Sequence, residues 1–164
     1  MTAGPIGCSA KDPREPQRRK PLTPRSVTAP KSRSTFRKHE RLTGRDAINA
    51  VVKQGVALND KPFRLVGRIG PLDSTAPAQV AFAIPKRHVK KATDRNYIRR
   101  LMREAYRMEK ERWYEPLRAA GVQCAWLVIY QSSQPLACPE VRQRLCGLID
   151  RWLLEHLPKA KAHS

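Results

Sequence analysis

Between Pro85 and Arg107 the chain reads PKRHVKKATDRNYIRRLMREAYR, and no other stretch constrains the fold as tightly. From Lys86 to Arg107 it holds nine Lys or Arg against two acids, Asp94 and Glu104, and so carries +7 of the net charge of +19. On a helical wheel advancing about 100° per residue, Arg95, Asn96, Arg99, Arg100, Arg103 and Arg107 share one arc. Ile98, Leu101, Met102 and Ala105 fall on the other side, with Tyr97 and Tyr106 at its margins. Such a helix is divided lengthwise. Its apolar stripe is the kind a sheet can cover, and its cationic stripe is left for solvent or a polyanion.

Guanidinium groups offer planar, paired donors that match phosphate oxygens, so the cationic stripe is read as an RNA-binding face. A face that serves only solubility alternates signs, with Glu placed four residues before Lys. This one is almost single-signed, and Arg outnumbers Lys within the helix. Attraction to anionic lipid would call for bulky apolar residues beside the basic face, exposed at an interface, and the apolar stripe here suits a sheet instead. No stretch reaches the apolar length of a membrane span, and no secretory signal opens the sequence.

The 164 residues suffice for one domain of ordinary size. The first 35 differ from the rest, with six Pro, eight basic residues against two acids, and sparse apolar positions without period. They are expected to form a disordered basic arm, since so little apolar surface cannot offset the entropy of ordering. A domain over 36–157 and a flexible tail over 158–164 complete the expected organisation. Cys8, Cys124, Cys138 and Cys146 form no C-x-x-C pair, and His39, His88, His156 and His163 are scattered. Cysteines on apolar runs behave as small hydrophobes and suit a reducing cytoplasm. No nucleophile with its base, no metal-ligand spacing and no phosphate-cradling Gly-rich loop is visible.

A pass along the chain predicts the order α-β-β-β-α-β-α. Thr43 reads as an N-cap with Asp46 at N3, followed by an apolar face of Ile48, Val51 and Val52 and a stop at Gly55. Val56 to Leu58 reads as a short strand, 62–69 as a strand with a basic-leaning face, and 79–85 as a strand alternating large and small apolar residues. The basic helix is expected from about 93 to 112. The unbroken apolar run from Ala125 to Tyr130 reads as an inner strand. Pro139 suits the first turn of a last helix lined by Val141, Leu145, Leu148, Ile149 and Trp152.

These residues resemble the protein component of bacterial ribonuclease P. The family's signature is a basic run, then Arg-Asn-Arg, then a helix continuing Ile-Lys-Arg-Leu-x-Arg-Glu. Here it reads Lys90-Lys91-Ala92-Thr93-Asp94-Arg95-Asn96-Tyr97-Ile98-Arg99-Arg100-Leu101-Met102-Arg103-Glu104. A second match lies upstream, in Phe36, Arg41-Leu42, the helix with Ile48, Val51 and Val52, and Gly55. The resemblance covers about residues 36–155. It implies an α+β, single-domain, two-layer α/β sandwich with a left-handed β-α-β crossover, against the general right-handed preference.

The resemblance further implies a non-catalytic protein subunit of an RNA-based endoribonuclease, whose partners are the catalytic RNA and precursor tRNA. No obligate protein partner and no protein-bound cofactor are expected, with Mg2+ required by the RNA subunit. Lys86, Arg87, Lys90, Lys91, Arg95, Asn96, Arg99, Arg100 and Arg103 would contact the catalytic RNA. A cleft between the first helix and the open sheet face would take the single-stranded 5′ leader, with Phe36, Arg41, Ile48, Val52, Arg64, Val66 and Arg68 as candidates.

This chain departs from the family at three places. Tyr97 stands where the signature has its second Arg, so packing or stacking replaces a phosphate contact there. Ile48 and Val52 occupy positions where the family often has Phe, and Tyr130-Gln131-Ser132 lacks the cation that often follows the last core strand. Each candidate also has a bland reading. Asn96 would serve as a local cap, and Ile48, Val52 and Phe63 as core. A structural RNA-binding protein of ribosomal type shares the basicity and a related fold. An enzyme acting on nucleic acid by itself would need the acid–base cluster that is missing. A DNA-binding regulator would need a partner helix and short turn before the basic helix.

Overall fold

The computed structural model describes residues 35–157 of the chain. The expected arm, apart from Thr35, and the expected tail over 158–164 lie outside the described residues. Within them the elements are a 3-10 turn at Lys38–Glu40, α1 (Arg45–Gln54), β1 (Val56–Asp60), β2 (Phe63–Ile69), β3 (Ala78–Ala83), α2 (Ala92–Ala120), β4 (Cys124–Tyr130) and α3 (Cys138–His156). The predicted order of helices and strands is the observed one.

The four strands form one sheet in the order β1-β2-β4-β3. β2 pairs antiparallel with both β1 and β4, and β3 pairs parallel with β4. Parallel neighbours need a long crossover, and α2 supplies it. β4 takes a central position because CAWLVIY is apolar on both of its faces and both faces are covered. The alternation in β3 sorts the same way. Val80 and Phe82 join the main core under α2 and α3, while Ala81 and Ala83 face the side that carries α1.

The main core is an aromatic relay between sheet and helices. Tyr106 lies 5.3 Å from Trp113, Trp113 lies 6.3 Å from Trp126, and Trp126 lies 6.1 Å from Trp152 between ring centroids. The last two contacts are edge-on, the arrangement aromatic quadrupoles favour. Trp152 sits directly over Gly67, where a Cβ would come within 2.4 Å of the indole. A side chain at 67 would therefore lift α3 off the sheet.

Several element ends differ from the sequence reading: β1 runs on to Asp60, β3 spans Ala78–Ala83 and not 79–85, and two helix ends shift for reasons the fold supplies. α1 starts after Gly44, whose φ of +97° suits glycine, and no side chain caps it. The reason lies one step earlier. The Leu42 N–H donates to the Val80 carbonyl at 3.0 Å, so the chain leaves the sheet edge and must turn sharply into the helix. Thr43 is left exposed. α2 runs on past 112 to Ala120, because Trp113, Tyr114 and Leu117 continue its buried face. Gly121, at φ +64°, ends it in the left-handed conformation.

Candidate nucleic-acid interface

The apolar phase of α2 fixes which way its charges point. Ile98, Met102, Ala105 and Tyr106 are buried against the sheet. Asn96, Arg100 and Arg103 are exposed, and Arg95, Arg99 and Arg107 are half-buried. The loop before the helix adds Lys86, Arg87, Lys90 and Lys91, all exposed.

Ion pairing then divides the helix at about its middle. Beyond residue 104, Arg107 pairs with Glu104, Lys110 with Glu40, Arg112 with Asp150 and Arg118 with Glu111. Across the α2–α3 contact Arg142 also pairs with Glu109. Among the described residues none of Lys86, Arg87, Lys90, Lys91, Arg95, Arg99, Arg100 and Arg103 has a carboxylate partner. The wheel arc placed Arg107 with its neighbours, but its bond to Glu104 puts it in the compensated half. Leaving eight cations uncompensated along one loop and two helical turns concentrates a positive potential there.

Local hydrogen bonds set these cations in place. The Arg95 guanidinium donates to the Val89 and Lys90 carbonyls at 3.0 and 2.6 Å, tying the basic loop to the first turn of the helix. Part of Arg95 thus positions Lys90 and Lys91. Asn96 does not cap the helix, whose N-cap is Lys91; its Oδ1 accepts from Arg99 Nη1 at 3.0 Å. Arg41 joins the group from the N-terminal segment. Partial burial, then the charges of Arg41 and Arg99, lower the pKa of Arg103, which records three guanidinium groups gathered without a counterion.

The leader candidates separate. Arg64, Val66 and Arg68 share the sheet face that carries α1, as the strand alternation requires. Val66 is only 5 % exposed beneath Val51, so it is core and not available to a ligand. Ile48 is half-buried in the same cluster, and Val52, 56 % exposed, stands on the rim of α1. Phe36 belongs elsewhere. Its ring packs edge-on against Tyr106 at 5.5 Å, on the α2 side, with the Arg41 guanidinium 5.3 Å above it. What stays open is a strip across all four strands, through the paired positions Asn59, Arg64, Ile129 and Ala83. α1 rests on the neighbouring row of Val66 and Leu127. The strip ends at Ala83, three residues before Lys86, so it leads toward the basic loop.

Sequence reasoning missed the polar cluster that holds the N-terminal segment on α2. The buried Lys110 ammonium contacts the Glu40 carboxylate and donates to the Thr35 carbonyl at 2.7 Å. Glu40 also accepts from the Arg37 N–H at 2.6 Å and the Tyr114 hydroxyl at 3.3 Å. The signal available was a lone acid, Glu40, in an otherwise basic segment.

Nucleophilic chemistry finds no support in the two buried thiols. Burial pushes Cys124 up to about 12, and burial with the nearby Glu109 pushes Cys146 up to about 11. Both stay protonated near neutral pH. Among the described residues no group of three His, Cys, Asp or Glu is placed to hold a metal ion, and no helix is long and apolar enough to cross a membrane.

Known proteins resemble this chain in sequence and in fold. The Ribonuclease P family model matches residues 36–151. The ribonuclease P protein component of Porphyromonas gingivalis is 40 % identical over 73 residues, which are 44 % of this chain and 53 % of that protein. That of Chlorobium phaeobacteroides is 37 % identical over 84 residues, 49 % of this chain and 58 % of that protein. The chain thus spans about half the length of these curated relatives. Among solved structures, the Staphylococcus aureus RNase P protein superposes with a TM-score of 0.54 at 15 % identity, covering 69 % of this chain and 94 % of that one. The Thermotoga maritima RNase P protein gives 0.53 at 23 % identity, covering 68 % and 96 %. These two likenesses are of fold.

Proposed function

The chain belongs to the Ribonuclease P family, and from that premise we propose that it is the protein subunit of ribonuclease P, assisting an RNA catalyst in removing the 5′ leader of precursor tRNA. The observation that carries this reading is the split along α2. Among the described residues, cations in the loop and first turns have no carboxylate partner, while Arg107, Lys110, Arg112 and Arg118 farther along pair with the protein's own carboxylates. A polyanion is the partner that completes the first set. The loop 86–91 and Arg95, Asn96, Arg99, Arg100 and Arg103 would seat the catalytic RNA, with Arg41 at their flank. The strip through Arg64, with Arg68 and the exposed rim of α1 at Val52, would receive the single-stranded leader.

On this reading the protein performs no bond-breaking step. Mg2+ held by RNA phosphates would activate water and stabilise the leaving oxygen. The chain's own residues would screen phosphate repulsion where catalytic RNA and substrate meet, and would favour precursor over mature tRNA by touching what only the precursor has. Its partners would be the two RNAs, without an obligate protein partner, in the cytoplasm.

The test is precursor-tRNA cleavage at low Mg2+ with catalytic RNA alone, protein alone, and both. Efficient release of a correct leader only by the combination is the expected result. Cleavage by the protein alone would make it an enzyme in its own right. No effect of a protein that still binds RNA with steep salt dependence would transfer the reading to a structural RNA-binding protein of ribosomal type.

A further inference from the structure

The chain has ten aromatic residues, all within the described region, and nine of them are used in packing. The three Trp, Phe63 and three of the four Tyr are buried. Phe36 and Phe82 are half-buried, each with its ring against Tyr106. The buried tyrosines also have partners for their hydroxyls. Tyr106 meets Tyr114, Tyr114 donates to Glu40, and Tyr130 donates to the Gln134 carbonyl. Tyr97 is the exception. It is 52 % exposed, its ring meets no other aromatic ring or cation, and its hydroxyl has no hydrogen-bond partner among the described residues.

Its position coincides with the uncompensated half of α2. Asn96 precedes it, and Arg99 and Arg100 follow, neither guanidinium paired with a carboxylate among the described residues. A phenol hydroxyl can donate one hydrogen bond to a phosphate, but only a base gains from the flat face of its ring, and Tyr97→Phe separates the two contacts. Leu101, one turn on and half-buried, lies beside Tyr97 on the helix, yet Tyr97 stays about half exposed. The sheet-side strip offers no exposed aromatic plane, since Ile48 and Val52 are aliphatic.

We propose that Tyr97 is a stacking platform for an unpaired base of the RNA seated on the arginine face. This rests on the RNA-binding reading given above and adds the chemistry of one contact. Arg100 lies one turn along the helix, about 4.5 Å of axial rise away. A guanidinium and a ring at that spacing suit a phosphate and the base of one nucleotide. Bases within a duplex are already stacked and shielded, so the base that reaches Tyr97 comes from a loop, bulge or single strand. Every base has a π-face, so the contact adds affinity with little sequence preference.

Stacking and charge contacts separate by salt. A phosphate contact changes the slope of log affinity against log salt, whereas a stacked base shifts the whole line without tilting it. The full-length chain is titrated with transcribed ribonuclease P catalytic RNA over a KCl series, as wild type, Tyr97→Ala, Tyr97→Phe and Arg100→Ala. Tyr97→Ala is expected to weaken binding roughly tenfold at every salt concentration with the slope unchanged. Tyr97→Phe restores it, and thermal unfolding of both variants matches wild type because the side chain is outside the core. Arg100→Ala instead lowers the slope by about one. A Tyr97→Ala line that overlies wild type overturns the proposal, as does a loss that Phe leaves unrepaired or that appears as a slope change. If Arg100→Ala also leaves the line where it was, it is the RNA-binding face itself that has failed.

Discussion

Lys110 stands on the basic helix α2, yet the residue is only 5 % exposed and its ammonium is bonded to Glu40 and the Thr35 carbonyl. A buried ion pair contributes little net stability when intact, because desolvation offsets the attraction. Breaking one side is different, since the remaining charge stays buried without its partner. Lys110→Met is therefore expected to cost about 3–5 kcal/mol in chemical denaturation. Adding Glu40→Gln should recover most of that loss, because neither charge then remains. A double variant no more stable than Lys110→Met would show that the pair does not act as a unit. The surface Arg107–Glu104 pair, by contrast, is screened by solvent and adds little to stability. Two basic residues three positions apart thus do unrelated work, and what separates them is burial.

Among the elements, α2 combines a core face, a compensated cationic half and an uncompensated one. The first was legible in the sequence. Ile98, Met102 and Ala105 are buried as the wheel requires, and Arg100 and Arg103 point outward. Substitutions on the two faces are expected to dissociate stability from binding. Ile98→Ala should lose roughly 2–4 kcal/mol of folding stability by opening a cavity under the helix. Arg100→Ala should leave the melting temperature unchanged and reduce the salt slope of RNA binding. Thermal melts and salt titrations of the two variants check this together, and a destabilised Arg100→Ala would contradict the observed helix phase. The ends of elements were less legible. A helix stop near 112 looked reasonable locally, but the next turns bury Trp113 and Leu117 against partners that only the fold provides. The start of α1 likewise follows from the Leu42–Val80 bond and not from the capping pattern around Thr43.

For the whole molecule, the N-terminal segment is held where it meets α2. Phe36 covers Tyr106, and Lys110 bonds Thr35 and Glu40. Removing residues 1–34 is expected to keep cooperative unfolding intact while lowering the salt slope of RNA binding, since that stretch carries eight basic residues against two acids. Cutting at residue 41 instead removes Glu40 and should destabilise the domain; equal melting temperatures for the two truncations would refute the anchoring role of 35–41. Taken by itself, the sequence determined the succession of elements, the inward face of the basic helix and the concentration of cations on its outward face. Those properties follow from periodicity and composition, which neighbouring residues express without help from the rest of the chain. Only the tertiary structure decided which of the described cations have a carboxylate partner, that Val66 is covered, that Phe36 packs against the core and that Tyr97 is half exposed. Compensation and burial depend on residues distant in sequence, as when Glu40 neutralises Lys110 across 70 positions or Asp150 meets Arg112 across 38. The chain must close on itself before such partners exist.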